Sequence, residues 1–139
     1  MFVPSQFFYT DPQGNPLVGG TAIEDSTSPV QHQGLIAWRF GCQVVLENSF
    51  RHRGAVEISA YDFNGGKPVQ VVRSPQNYVE AETIVQRAWA DVQSGVKWSP
   101  FYNCQDFISH AYTGRNGSKT RDGIVLGGLA AALLFALAA

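Results

Sequence analysis

The chain has 139 residues, 45% of them hydrophobic and 12% aromatic, and a formal net charge of −1. That is enough apolar material for one modest core and not for two, so a single small domain is expected. A near-neutral charge gives no broad attraction for nucleic acid, and two cysteines make no disulfide framework.

Residues 1–29 read as an irregular N-terminal segment. Pro4, Asp11-Pro12, Gly14-Asn15-Pro16, Gly19-Gly20 and Ser26-Thr27-Ser28-Pro29 punctuate it, and these residue types favour turns and short extended pieces over helix. Residues 1–9 are apolar and aromatic but lack the basic start, long apolar centre and small-residue cleavage site of a secretory signal, so none is read there. Strands are expected over 30–38, 42–47, 55–61 and 68–73, with Gly65-Gly66 as the reversal between the last two. Cys42, in the apolar run Cys42-Gln43-Val44-Val45-Leu46, fits a buried strand, where a thiol is inert core. Arg51-His52-Arg53 fits an exposed basic turn, with His52 a solvated residue of it.

From residue 77 the period changes. Ile84, Val85, Ala88, Trp89 and Val92 recur as one stripe of a helix that Asn77 and Glu80 open as a capping box and Gly95 stops. Trp98-Ser99-Pro100-Phe101 follows as a loop whose aromatic pair packs the core or, as the alternative, lines a groove. Cys104, Phe107, Ile108, Ala111 and Tyr112 then repeat at helical spacing behind Asn103, a residue type that caps helices well.

A cysteine at that end of a helix has chemical interest. It is a nucleophile only as thiolate, and unpaired amides and aligned peptide dipoles at a helix N-terminus favour negative charge. An imidazole must take the proton and later return it to a leaving group, and His32, in Gln31-His32-Gln33-Gly34-Leu35-Ile36-Ala37-Trp38, is the candidate. Taken singly, a cysteine on an apolar helix face is usually core and a strand histidine usually structural; the pair is what suggests catalysis. A Cys42–Cys104 bridge stands as an alternative that would abolish the nucleophile. His110, six positions after Cys104 on the same helix, is turned away from the thiol and reads as a surface histidine. Three scattered histidines and two distant cysteines match no usual zinc spacing, so no metal and no other cofactor is expected. The simplest architecture is α+β: an antiparallel sheet with helices on one side, the cysteine helix covering the strand of His32.

The run over residues 123–139 carries no charge and has no polar face. Its length is at the low end of what spans a bilayer as helix, and a C-terminal hydrophobic helix acting as a membrane anchor is the preferred reading, with a buried helix as the alternative. Arg115, Lys119 and Arg121, in a basic linker over 115–122, favour a membrane-anchored protein whose domain stays on the cytoplasmic side.

His32-Gln33-Gly34-Leu35-Ile36-Ala37-Trp38 resembles the histidine box, and Asn103-Cys104-Gln105-Asp106-Phe107 the Asn-Cys box, of the lecithin:retinol acyltransferase-like family. That family is the circularly permuted branch of the NlpC/P60 papain-like thiol enzymes. The resemblance covers residues 30–114 and includes Val45-Leu46-Glu47-Asn48-Ser49, Phe63-Asn64-Gly65-Gly66-Lys67 and Arg87-Ala88. It implies a permuted papain-like catalytic domain in which Cys104 is the nucleophile, His32 the general base, and a third polar residue on the next strand orients the imidazole. Many members have a histidine there; this chain has none, and the motif alignment places Glu47 at the position. Asn48 is the alternative, because strand parity groups it with Cys42, Val44 and Leu46, whereas Glu47 goes with Gln43, Val45 and Ser49. The activity implied is that of a membrane-tethered acyltransferase or phospholipase with a lipid acyl ester as substrate. Peptide or peptidoglycan amide hydrolysis is the rival, and a non-catalytic interaction protein that keeps both boxes is the third reading.

Overall fold

The structure, a computed structural model, describes residues 7–115. Its centre is a hairpin of β2 (Gln33–Arg39) and β3 (Cys42–Ser49), registered so that Leu35 faces Leu46, Ile36 faces Val45 and Ala37 faces Val44. Side chains alternate across a strand, so Leu35, Ala37, Val44 and Leu46 fall on one face and Ile36 and Val45 on the other. Both sets are buried, and each fully buried residue of this size contributes roughly 1.5–3 kcal/mol. A sheet apolar on both faces needs cover on both.

Around the hairpin lie β4 (Gly54–Ser59) beside β3, β1 (Ala22–Asp25) beside β2, and β5 (Val69–Arg73) beyond β1, giving the antiparallel order β4-β3-β2-β1-β5. The fold is therefore α+β, as the sequence suggests. Two helices, α2 (Tyr78–Gln93) and α3 (Cys104–Thr113), cover the first face with Ile84, Ala88, Phe107, Ile108 and Ala111. Contrary to expectation, helices are not confined to one side: the opposite face is covered too. Tyr9, Leu17 and the short helix α1 (Ala60–Asn64), with Ala60 and Phe63, pack there against Ile23, Ile36 and Val45. The amide of the buried Gln43 fastens this cover, accepting from the Tyr9 amide at 2.7 Å and donating to the Tyr9 carbonyl at 3.1 Å.

Three further expectations need correction. Gly65-Gly66 is not a hairpin turn: Gly65, at φ 72°, is the left-handed cap of α1, and the chain crosses to the far edge, where β5 pairs with β1 instead of β4. The last predicted residues of the third strand, Ala60 and Tyr61, open that helix, because the Ser59 side chain accepts from the Asp62 amide at 3.1 Å and caps it. Cys42 is exposed, because it stands at the tip of the hairpin beside the Phe40-Gly41 turn. Within the segment over 1–29, one of the expected short extended pieces is the paired strand β1.

The expected hydrophobic helix over 123–139, and residues 116–122 of the basic linker, lie outside the described residues. Among the described residues no helix is long and apolar enough to cross a membrane.

Candidate functional site

The cysteine helix begins where the sequence places it. The Asn103 side chain accepts from the amides of Gln105 at 3.0 Å and Asp106 at 3.2 Å, while Asp106 Oδ2 accepts from the Asn103 amide at 3.1 Å. This reciprocal capping box satisfies otherwise orphaned donors and makes Cys104 the first residue of α3. The loop leading into it is tied twice. Asn48 Nδ2 on β3 donates to the Tyr102 carbonyl at 2.8 Å, and the Tyr102 hydroxyl donates to Asp91 Oδ2 on α2 at 2.6 Å. His110 Nδ1 approaches the same Asp91 oxygen at 3.1 Å. His110 thus belongs to a clamp between α2 and α3.

His32 lies just before β2 on the other face of the sheet. Its ring stacks on Phe63, with centroids 4.5 Å apart and planes 15° apart, and its Nε2 is 3.2 Å from Glu47 Oε1. Gly34 makes room for this stack: a Cβ there would come within 2.5 Å of Val45 Cγ1 and 2.8 Å of Phe63 Cε1. Glu47 is fully buried. Burial alone would push its carboxyl up, but hydrogen bonds from His32 and Ser49 and the charges of His32 and Arg51 outweigh it and hold the carboxyl below the usual range. The carboxylate thus faces Nε2 of the ring, and Nδ1 is the nitrogen turned away from it.

Cys104 and Cys42 are both free thiols, so the alternative of a bridge between them is excluded. The Cys104 thiol donates to the Gln31 carbonyl at 3.7 Å, touching the main chain one residue before His32. Burial pushes this thiol up; the amides of Gln33, Gln105 and Cys104 itself oppose the shift without cancelling it, and the charge of Glu47 adds to it. Helix-end stabilisation is therefore present but is not the dominant effect. Cys104 rests as the thiol.

A cavity of about 650 Å³ joins the pieces, lined by His32, Asn48, Phe63, Trp98 and Cys104 among others. Glu47 stands behind His32 rather than in the cavity wall. Of the two candidates for the third residue, Glu47 is the one in contact with the imidazole, and Asn48 serves the cysteine helix. Trp98 packs edge-on against Phe50 at 5.1 Å and lines the cavity, and Phe101 is 47% exposed, so neither belongs to the core. Phe63 is the partner that residue-type reasoning misses, since an aromatic at a helix end announces core and nothing more. Among the described residues no group of His, Cys, Asp and Glu is arranged to hold a metal ion.

No protein-family model matches the chain, and no curated protein matches it.

Proposed function

We propose that the chain is a membrane-tethered thiol acyltransferase or phospholipase, a permuted papain-like domain of the lecithin:retinol acyltransferase-like kind. One observation carries this reading. An imidazole held between Phe63 and the Glu47 carboxylate lines the same cavity as a buried thiol at a helix N-terminus. The Cys104 proton passes to His32 Nδ1 as sulfur attacks the ester carbonyl; the C–O bond breaks, and the imidazolium returns its proton to the departing alcohol. An alcohol, amine or water then takes the acyl group from sulfur with the same base. The resting thiol favours proton removal during attack over a preformed ion pair. The uncharged segment over 123–139, preceded by Arg115, Lys119 and Arg121, supports anchoring at a bilayer, where acyl esters are concentrated.

A second reading, the non-catalytic interaction domain, draws on the same resting thiol and its bond to Gln31. Alkylation separates the two, with Cys42 as an internal reference. In a catalytic protein His32→Ala slows iodoacetamide modification of Cys104 and leaves Cys42 unchanged. Intact-mass spectrometry after exposure to phospholipid micelles should show an acyl adduct that Cys104→Ala lacks. An adduct formed only with a peptide substrate moves the assignment to the amidohydrolase, and indifference of Cys104 to His32→Ala sinks both enzyme readings.

A further inference from the structure

Glu47 has more neighbours than the imidazole it orients. From the turn between β3 and β4, Arg51 Nη2 reaches within 3.8 Å and His52 Nε2 within 3.7 Å of Glu47 Oε2, the oxygen that His32 does not contact. The turn is built for this: the His52 amide donates to Ser49 Oγ at 3.3 Å, Arg53 closes it at φ 60°, and Arg51 Nη2 also donates to the Asp62 carbonyl at 3.3 Å. Glu47 itself is completely buried, whereas the Arg51 side chain is 55% exposed and that of His52 34%. The titratable and charged groups that meet this carboxylate are thus His32 before β2, Arg51 and His52 from the turn, and, at longer range, the Cys104 thiol of α3.

We propose that Arg51 and His52 are positioning residues for His32, acting through the carboxylate they share with it. The inference rests on the thiol-enzyme reading for its purpose and on geometry for its substance. A carboxylate without cationic partners is expensive to bury and takes up a proton instead. His32 meets only one of the two oxygens, Oε1, at 3.2 Å. Arg51 is the permanent cation beside Oε2, and the His52 ring stands 3.7 Å from that same oxygen. If Glu47 became neutral it would cease to hold the proton of His32 on Nε2. The imidazole could then keep its proton on Nδ1, where no lone pair remains to receive the thiol's. The basic turn, which looks like plain solvated surface, fixes which ring nitrogen is the base.

The test compares wild type with Arg51→Met, Arg51→Lys, His52→Asn and the Arg51→Met/His52→Asn double variant, all at an exposed turn. Two readouts are independent of thiol reactivity: the ¹³C carboxyl resonance of Glu47 followed with pH, and the ¹⁵N shifts of His32, which report its tautomer. Loss of the cations should move the Glu47 titration to higher pH, most in the double variant, with Arg51→Lys returning toward wild type and Arg51→Met not. In the double variant the Nδ1-protonated tautomer of His32 should appear at a pH high enough for the ring to be neutral, where wild type shows the Nε2-protonated one. Alkylation of Cys104 should fall several-fold there, instead of equally at every pH. A Glu47 titration unmoved in the double variant, or a His32 tautomer that ignores the state of Glu47, overturns the proposal. Should Cys104 prove indifferent to His32 in wild type, the enzyme reading fails while both resonances still decide this one.

Discussion

Glu47 and Asn48 are successive residues of β3, both fully buried, and they serve opposite faces of one sheet. Glu47 turns toward Phe63 and α1 and meets His32 at 3.2 Å; Asn48 turns toward α2 and α3 and holds the Tyr102 carbonyl at 2.8 Å, two residues before the cysteine. A period of two gives one strand control of both halves of the site. The difference in chemistry follows the difference in task. In the proposed mechanism a proton is directed to one ring nitrogen on the imidazole side, and a charge does that; on the helix side a backbone carbonyl needs only a donor of fixed length, and a neutral amide is sufficient.

The sharpest way to break this contrast is Glu47→Gln, which keeps the shape and removes the charge. Its expected effect is a loss of roughly 100-fold in the His32-dependent alkylation rate of Cys104, measured by mass spectrometry, the scale of a misdirected general base. The same variant changes acid stability. Because the folded carboxyl lies below its usual range, Glu47 stabilises the fold at neutral pH, and that contribution is lost as pH falls through the folded value. Glu47→Gln should therefore flatten the acid side of the stability profile in urea titrations run at several pH values. A steep acid limb that survives the substitution would assign it to other carboxylates.

Asn48→Ala is the matching change on the other face. It removes one of two donors to the Tyr102 carbonyl, which keeps the Ser99 amide at 3.2 Å, and should cost about 1 kcal/mol in urea unfolding while leaving the shape of the alkylation pH profile as in wild type. If instead it distorts that profile as Glu47→Gln does, the division of labour by strand parity is wrong.

These two residues also show what the sequence conveys and what it does not. The capping box of Asn103 and Asp106 and the apolar stripe of Cys104, Phe107, Ile108 and Ala111 are legible because helix starts are written in local residue types at fixed offsets. Strand parity puts Glu47 and Asn48 on opposite faces, as found, without saying which face meets the histidine. Gly65-Gly66 misleads because left-handed glycine serves a helix end as well as a hairpin, and only pairing across the sheet distinguishes them. His52 reads as solvated because turn composition reports exposure of the backbone, whereas its ring folds back onto a carboxylate several residues earlier. The direction of the Cys104 shift escapes helix-end logic for a related reason. Dipoles are local and burial is tertiary, and here burial wins.

A smaller change tests the helix end directly. Asn103→Ala removes the side chain that accepts from Gln105 and Asp106 and should cost about 1 kcal/mol of stability. It also loosens the first turn, where the amides near Cys104 oppose the upward shift of its thiol. Alkylation of Cys104 should then require higher pH than in wild type, whereas Glu47→Gln lowers the rate through the base.

The far end of α3 supplies the least disruptive comparison. The Tyr112 hydroxyl donates to the Gly20 carbonyl at 2.5 Å, and Arg87 Nη1 donates to the carbonyls of Ala111 at 3.1 Å and Tyr112 at 3.3 Å, so this end is anchored as firmly as the capped one. Burial, aided by the charge of Glu80, pushes the Tyr112 phenol up to about 12 against the opposing effects of Arg73 and the Ala22 backbone. A raised value means that the stability it confers is complete below the ordinary phenol value of 10 and is lost as pH climbs through about 12. Tyr112→Phe should cost about 0.5–1 kcal/mol at neutral pH and remove part of the alkaline decline across that window, with calorimetry as the check. Cys104 alkylation should stay at the wild-type rate, because the hydroxyl restrains the helix nine-tenths of its length away from the sulfur. Were Tyr112→Phe to slow Cys104 as much as Asn103→Ala does, α3 would be acting as one rigid lever, and the site would depend on the helix as a whole instead of on its capped first turn.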